Sequence, residues 1–408
     1  MSKTSAFAIF AHRDFRHFLV ARFLAAFAMM MIGVAVGWQV YDLTHDAMAL
    51  GLVGLAQFLP ALIFTLPGGL AADRFDRRHV LLVGFALMLL VACSLLTLSL
   101  LDRPHVGWIY ATVVFIGLGR SALSPASQSL LPFLVPKEDF PRAIAWNSSA
   151  FEIAMISGPA TGGFLYAVGP VYVYATALTC LLTATFLVIS LRGPLKVANP
   201  AAASIASIFA GVRFVFSKPI ILGSVSLDLF AVLFGGATAL LPIYAAEILH
   251  TGPWGLGLLR SAPAVGAAVM AIWLAHHPIR HRAGWKLFTG VGIFGLTTII
   301  FGLSTSFSLS LIALVILGAA DMISVVIRQT LVQINTPDEM RGRVSAVNML
   351  FIGASNELGE FESGVTAAWF GTVRSVVIGG MGTLAVVGLW SWRFPALRKM
   401  NGLEHGKD

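Results

Sequence analysis

Long apolar stretches alternate with short polar ones along almost the whole chain. A helix that spans a membrane needs roughly 20 consecutive, mostly apolar residues. Twelve stretches of about that length can be read from the sequence, at about 18–41, 49–72, 80–101, 107–130, 144–167, 171–191, 220–246, 254–277, 285–304, 307–332, 345–371 and 374–394. The pattern therefore predicts an all-α integral membrane protein with twelve transmembrane helices.

The composition supports a membrane protein over a soluble one. Of the 408 residues, 57% are hydrophobic and 11% are charged, whereas about 25% of the residues of a soluble domain are charged. The net charge of +8 could indicate a nucleic-acid partner. The charges sit in short loops between spans, however, where membrane topology accounts for them. We therefore expect a lipid bilayer around the chain and no nucleic-acid partner.

The arginine and lysine residues predict the orientation. Of the 27 such residues, 21 lie in segments that would face one side and two lie in outer loops. The remaining four lie within spans, at Arg22, Arg120, Arg260 and Arg328. Because cytoplasmic loops are enriched in these residues, both termini are predicted to be cytoplasmic. The first apolar run is too long for the core of a signal peptide, so no cleaved leader is expected.

The two halves of the sequence repeat one another. Residues Pro136, Glu138, Arg142, Ala145 and Asn147 recur 201 positions later as Pro337, Glu339, Arg343, Ala346 and Asn348. At the same offset Gly163 corresponds to Gly364. Parallel repeats of six spans predict two pseudo-symmetric six-helix bundles, 1–192 and 220–408.

A longer connection, 193–219, would join the two bundles as a cytoplasmic linker. Its first part is rich in proline and alanine, which is typical of a linker. Its second part, 205–216, carries apolar residues at helical spacing. That spacing predicts a helix lying at the cytoplasmic face of the membrane, or else the cytoplasmic start of the seventh span.

A charged loop follows the second span. It reads Gly-Leu-Ala-Ala-Asp-Arg-Phe-Asp-Arg-Arg over 69–78, and resembles the loop signature of the major facilitator superfamily of transporters, with Asp76 where the family usually has glycine. Together with the repeat, it identifies the chain as a member of that superfamily. The resemblance implies alternating access about a midplane site. It also implies a conformational latch formed by Gly69, Asp73, Arg74, Arg77 and Arg78.

Three further stretches narrow the resemblance. They are Phe-Leu-Val-Ala-Arg-Phe at 18–23, Gly-Gly-Leu-Ala-Ala-Asp-Arg at 68–74 and Thr-Pro-Asp-Glu-Met-Arg-Gly-Arg at 336–343. They resemble the enterobactin-exporter and macrolide-efflux branch, which implies a bacterial inner-membrane antiporter that exports a drug-like compound or a siderophore in exchange for protons. Uptake of a metabolite remains an alternative. So does a non-transporting membrane sensor or scaffold on the same fold.

Four charged residues occupy spans that line the central cavity in the superfamily. The 201-residue offset aligns Arg120 with Asp321 near the midplane, and an offset of 206 aligns Arg22 with Asp228 nearer the cytoplasm. Ionisable groups inside a bilayer are costly and usually mark a pathway. These residues are therefore expected to bind substrate, relay protons or exchange partners. The alternative is permanent pairing that holds helices together.

The fifth span carries a cluster of small residues and a proline. The run Gly158, Pro159, Gly162 and Gly163 resembles the Gly-x-x-x-Gly-Pro-x-x-Gly-Gly signature of proton-coupled exporters, with Ala154 in place of the first glycine. Small residues let helices approach closely, and proline removes a backbone hydrogen bond. The span is therefore predicted to be a gating helix, with ordinary small-residue packing as the alternative. Glu152 on the same span is a candidate coupling residue.

The eleventh span contains three carboxylates within six residues, at Glu357, Glu360 and Glu362. Glu357 and Glu360 are three residues apart and share a helix face. Close carboxylates in an apolar setting should not all be ionised at once. These residues are therefore predicted to couple transport to protons, unless the span breaks here and they face a wet crevice.

The sequence offers little that indicates an enzyme. It contains no evident phosphate-binding loop, metal-ligand cluster or nucleophile triad. We therefore expect no catalysis, no cofactor and no metal site, and energy drawn from an ion gradient or from the gradient of the substrate itself. We also expect a monomer, because transporters of the superfamily that this chain resembles are usually monomeric.

Overall fold

The computed structural model describes residues 8–101, 104–192, 205–337 and 340–402. All regular structure in these ranges is helical. The first half contains α1 (Arg13–Thr44), α2 (Ala47–Arg74), α3 (Arg77–Ser99), α4 (Val106–Leu130), α5 (Phe140–Val168) and α6 (Pro170–Ile189). Short 3₁₀ turns precede α1 and connect α4 to α5. These six helices coincide with the first six predicted spans.

The second half begins with α7 (Ile205–Ser217) and α8 (Pro219–Phe234). After a short irregular segment that includes α9 (Leu241–Ile243) come α10 (Gly252–His276), α11 (Ala283–Leu303), α12 (Phe307–Ile334), α13 (Arg341–Phe370), α14 (Thr372–Arg393) and α15 (Pro395–Lys399). The predicted all-helical membrane fold of twelve spans is confirmed. Among the described residues, ten helical stretches are long and apolar enough to cross a membrane. The polar helices α5 and α13 are the other two spans.

The seventh span is interrupted, which the apolar pattern did not indicate. Helix α8 ends at Phe234, and after Gly235 and Gly236 a 3₁₀ turn (Ala237–Leu240), α9 and a π-helical turn (Tyr244–Ile248) complete the crossing. Gly236 fits tightly there, because a Cβ atom at that position would lie 2.4 Å from the carbonyl oxygen of Gly359. Two glycines in succession, with a close backbone neighbour, explain where the helix breaks.

The chain divides into two compact units that largely follow its two halves. Unit 1 comprises Met1–His45, Ala56–Ala203 and Gly252–Gly257, and unit 2 comprises Asp46–Leu55, Ser204–Thr251 and Leu258–Asp408. The start of α2 thus belongs to unit 2, and the start of α10 belongs to unit 1. In unit 1, α1 packs on α5 and α6, and α3 packs on α4 and α6.

Two hydrophobic clusters lie in the core of the described part of unit 2. The larger cluster joins α8, α11, α12 and α14, with Leu227, Leu287 and Leu331 among its buried members. The smaller cluster receives Val215 of α7, which is 1% exposed and packs with Val344 of α13. Lys218 interrupts the helix between α7 and α8, and α7 packs against both the start of α8 and the beginning of α13.

Candidate functional site

A buried ion pair joins α8 to α12 inside unit 2. The Nη2 atom of Arg328 lies 3.1 Å from Oδ2 of Asp228, and the two side chains are 3% and 7% exposed. The Nη1 atom of Arg328 donates a hydrogen bond to Oδ1 of Asn348 on α13, at 3.3 Å. The Nε atom is buried and has no hydrogen-bond partner among the described residues. Arg328 thus links α8, α12 and α13, and its Nε donor has no partner among the described residues.

Asp321 lies beside this pair. It lines a cavity of about 10 Å³ together with Asp228 and Ser324, and Val291 and Phe294 of α11 also line this cavity. That volume is close to the minimum that one water molecule needs. Asp321, Ser324 and Arg328 follow one another at spacings of three and four residues, so they share one face of α12. Asp321 is partly buried and retains some exposure.

The predicted charges of the first half lie in unit 1. The guanidinium of Arg22 lies 5.8 Å from the ring centre of Phe151, and its buried Nε has no hydrogen-bond partner in the described part of the chain. Arg120 is exposed in the middle of α4, and Glu152 is partly buried on α5. Arg22 therefore faces an aromatic ring within its own unit. The anion Asp228, which occupies the equivalent place in the repeat, pairs with Arg328.

The three glutamates of α13 are all partly or fully withdrawn from solvent. Glu357 is 9% exposed, and Glu360 and Glu362 are partly buried. A Cβ atom on Gly54 of α2 would lie 3.1 Å from Oε2 of Glu360. The absence of a side chain at position 54 therefore lets the start of α2 pack directly over this carboxylate.

The predicted gating helix, α5, is closely packed against its neighbours. Its members Gly158, Pro159, Gly162 and Gly163 are all buried. Side chains at positions 158 and 162 would collide with α1, because a Cβ atom would meet Met30 at 2.5 Å and Met31 at 2.9 Å, respectively. A Cβ atom on Gly163 would lie 2.8 Å from the Cα atom of Gly257. The glycine residues of α5 therefore allow close contact with α1 and with the start of α10.

Two arginines of the charged loop make contacts within unit 1. Arg77 is 4% exposed, and its guanidinium lies 4.6 Å from the ring centre of Phe133. Arg78 donates hydrogen bonds to the carbonyl groups of Leu191, at 3.0 Å, and of Ile189, at the end of α6.

The other loop residues contribute differently. Asp76 begins α3 by accepting a hydrogen bond from the backbone N–H of Arg78, at 2.9 Å. A Cβ atom at Gly69 would have no heavy-atom neighbour within 4 Å. The side chains of Asp73 and Arg74 lie outside the described part of the chain.

Arg328 and Asn348 are the site residues that the sequence reading did not single out. The sequence pattern places Arg328 within a span and Asn348 in the repeat. The available signal was the seven-residue spacing from Asp321 to Arg328, which places both on one helix face. Within the described residues, no group of three or more His, Cys, Asp or Glu side chains is arranged to hold a metal ion.

The profile of the transmembrane secretion effector family, one of the major facilitator families, matches residues 4–405. The chain belongs to this family. It is therefore a multi-pass membrane transporter, as the loop signature and the repeat predicted.

Curated relatives extend over almost the same length. An enterobactin exporter, EntS, of Citrobacter koseri is 29% identical over 386 residues, which cover 93% of this chain and 91% of that protein. A protein of the same name from Escherichia coli O1:K1 is 26% identical over 381 residues, covering 92% and 90%.

Solved structures share the fold at low identity. A bacterial homologue of the human lysosomal transporter Spinster, inward-facing and unoccupied, superposes with a TM-score of 0.74 at 14% identity, covering 95% of this chain and 96% of that one. A POT family transporter in complex with 5-aminolevulinic acid gives 0.73 at 14% identity, covering 94% and 96%. The nucleoside transporter NupG gives 0.71 at 12% identity, covering 93% and 100%.

Proposed function

We propose that this transporter exports a small organic molecule, a drug-like compound or a siderophore, across the bacterial inner membrane in exchange for protons. The observation that carries the proposal is the buried Asp228–Arg328 ion pair beside Asp321, within spans of a secretion-family chain. Ionisable groups at such positions are costly and are usually kept for function. Relatives named as enterobactin exporters support the direction of transport and a siderophore as one cargo.

Alternating access would use the intramembrane charges as coupling groups. Asp321 and Glu357 are the first candidates, because both are carboxylates in the middle of long spans. Arg120, Arg22, Asp228, Glu360 and Glu152 are further candidates for substrate contact or proton transfer. Such a carboxylate is neutral when protonated and can pair with a cation when ionised. Its interaction energy with the surrounding protein therefore differs between the two protonation states, and coupling of transport to protons requires such a difference.

The glycine face of α5 would serve as the gate, since side chains cannot be inserted there without moving α1 or α10. Asp73 and Arg74 would act in the latch of the charged loop. Arg77 and Arg78 would support it by fixing the cytoplasmic ends of α3 and α6. We expect a monomer with both termini in the cytoplasm.

Inside-out vesicles energised by a proton gradient test the proposal. The vesicles receive a panel of fluorescent cationic drugs and enterobactin, with and without a protonophore, beside vesicles that lack the protein. Accumulation of at least one compound that the protonophore abolishes is the expected result. Accumulation that resists the protonophore would remove proton coupling. Uptake of a metabolite by right-side-out vesicles, with no accumulation in inside-out ones, would overturn export.

The same assay tests the coupling residues. Asp321→Asn and Glu357→Gln should each lower protonophore-sensitive accumulation while the protein remains folded and inserted. Asp46→Asn is the matched control, because Asp46 is exposed before α2 and its role as acceptor for the N–H of Met48 is one that asparagine can also fill. Full activity of both span variants would remove them from the coupling role.

A further inference from the structure

Asp228, Arg328 and Asp321 form a group whose charges do not cancel. Two carboxylates and one guanidinium sum to −1 when all three are ionised, and to zero when one proton is bound. Arg328 makes a direct contact with Asp228 at 3.1 Å. Asp321 shares the small cavity with Asp228, and no ion pair or hydrogen bond of its side chain occurs within the described residues. The surplus negative charge therefore resides on Asp321.

An uncompensated charge at this place is costly. Asp228 and Arg328 are 5% and 2% exposed, and the cavity wall toward α11 is formed by Val291 and Phe294. Burial of an ion costs several kcal/mol unless it is paired and hydrogen-bonded. The pair meets this condition through Asn348, but Asp321 does not. A proton on Asp321 would remove the cost, and its residual exposure gives that proton a way in.

Helices α11 and α14 carry no cation in their central parts. Helix α11 has no charged residue between Lys286 at its start and Leu303 at its end, and α14 carries Arg374 and Arg393 only near its two ends. On α13, the cations nearest to Asn348 in sequence are Arg343 and Arg341 at the start of the helix, and the nearest carboxylate is Glu357, nine residues away.

Helix α10 does carry one cation, Arg260. Gly318 of α12 packs against the backbone of Pro263, and Arg260 lies three residues before that proline. Arg260 is partly buried and makes no ion pair with Asp321 among the described contacts. It therefore provides a control cation for the same region.

We propose that Asp228, Arg328 and Asp321 form a one-proton site in unit 2, in which Asp321 takes up the proton while Arg328 remains on Asp228. The inference rests on the proton-coupled export proposed above and names its coupling site and its stoichiometry. Binding of H⁺ to a carboxylate oxygen of Asp321 changes the site from −1 to zero, and release of the proton restores −1. Arg328 acts as a positioning residue that sets the pH range in which Asp321 responds.

The test is an infrared titration of the purified, full-length protein in lipid nanodiscs, which needs no substrate. The difference between wild type and Asp321→Asn should contain one protonated-carboxyl band that disappears as the pH rises. Arg328→Gln should move the midpoint of that band to higher pH by roughly 1–3 units, because two carboxylates then share no cation. Asp228→Asn should move it to lower pH, because Arg328 then acts on Asp321 alone. Arg260→Gln should leave it unchanged.

These shifts have opposite signs, which a structural role for the ion pair would not produce. If Arg328→Gln fails to fold, the double variant Asp228→Asn/Arg328→Gln removes the pair as a unit, and its midpoint should lie above that of Asp228→Asn. A wild-type minus Asp321→Asn difference without a titrating band would overturn the proposal. So would shifts of the same sign in Arg328→Gln and Asp228→Asn.

A transport assay in vesicles, compared with the infrared titration, distinguishes failure of the proton site from failure of the proton-coupled export on which it rests. A titrating Asp321 band in a protein whose transport resists protonophore would leave the proton site standing and overturn proton-coupled export. Protonophore-sensitive transport without that band would leave the export proposal standing and place the coupling proton elsewhere. Protonophore-sensitive transport whose pH dependence shifts with the band in Asp228→Asn would support both.

Discussion

Gly163 of α5 and Gly257 of α10 meet through their backbones. A Cβ atom at position 163 would lie 2.8 Å from the Cα atom of Gly257, and one at position 257 would lie 3.0 Å from that of Gly163. The same relationship occurs in unit 2 between Gly51 of α2 and Gly364 of α13, where the two distances are 3.1 Å and 2.6 Å. Gly364 is the repeat partner of Gly163. The internal repeat therefore preserves a glycine contact as well as a set of helices.

Replacing Gly163 should disturb this contact directly. Gly163→Ala would bring a methyl group to 2.5 Å from the carbonyl oxygen of Pro253, which is backbone and cannot rotate away. Overpacking of this kind costs typically 1–3 kcal/mol. We expect a lower melting temperature in detergent, measured by intrinsic fluorescence, together with reduced transport.

Gly292→Ala is the control for this substitution. Gly292 lies within α11, and a Cβ atom there would have no neighbour within 4 Å, so alanine should be neutral or slightly stabilising because of its higher helix propensity. Equal melting temperatures for the two variants would show that α5 and α10 adjust to a side chain. That result would weaken the assignment of α5 as a gate.

Tyr174→Phe should destabilise unit 1. The hydroxyl of Tyr174 donates a hydrogen bond to Oε1 of Gln39 at 2.6 Å, and both residues are buried. Removing the donor leaves a buried acceptor unsatisfied, at a cost of about 1–3 kcal/mol. A drop in melting temperature relative to wild type is the measurement. Tyr172→Phe, at a residue that is 55% exposed, should cause little change.

A second substitution distinguishes this hydrogen bond from simple packing. Gln39→Leu in the Tyr174→Phe background replaces both polar partners with apolar groups, which can be nearly neutral. The double variant should therefore be more stable than Tyr174→Phe alone. A further loss of stability in the double variant would contradict the assigned role of the hydroxyl.

The helices were predictable from the sequence because lipid imposes simple rules. Most spans are long apolar runs that end at charged loops, since backbone groups cannot be left unsatisfied in hydrocarbon. The interruption after α8 was not predictable in this way. Gly235 and Gly236 sit in a continuous apolar run, glycine is common in transmembrane helices, and only the approach of the Gly359 carbonyl reveals the break.

The candidate site was predictable in part. Asp228 and Asp321 stood out because each is the single acidic residue of its span. The partner of Asp228 did not, because a repeat aligns equivalent positions in the two halves, whereas ion pairs form between neighbouring helices of one unit. In the repeat, Asp228 is equivalent to Arg22, whereas in the structure it forms an ion pair with Arg328. Side-chain spacing along α12 was the better guide to the cluster.

Arg78→Gln should loosen the C-terminal end of α6. Arg78 donates to the carbonyl groups of Ile189 and Leu191, which have no further helical turn to satisfy them. A cation near a helix C-terminus contributes about 0.3–1 kcal/mol in addition. Hydrogen–deuterium exchange should accelerate in peptides covering 186–192. Lys137→Gln, at an exposed lysine, should leave that exchange unchanged, and unchanged exchange in Arg78→Gln would remove its anchoring role.

Asp73 and Asp76 flank the same turn and should respond in opposite ways to neutralisation. Asp73 is the penultimate residue of α2, where the negative end of the helix dipole disfavours an anion. Asp73→Asn should therefore maintain or slightly raise stability. If Asp73 belongs to the latch, the substitution should also slow transport several-fold without weakening substrate binding.

Asp76 lies at the positive end of the α3 dipole and caps that helix. Because asparagine caps as well as aspartate, Asp76→Asn should lose only the interaction with the dipole, about 0.3–1 kcal/mol, and should transport at a normal rate. Melting temperatures and initial transport rates of Asp73→Asn and Asp76→Asn, measured side by side, test whether Asp73 belongs to the latch. Wild-type transport by Asp73→Asn would remove this residue from the latch.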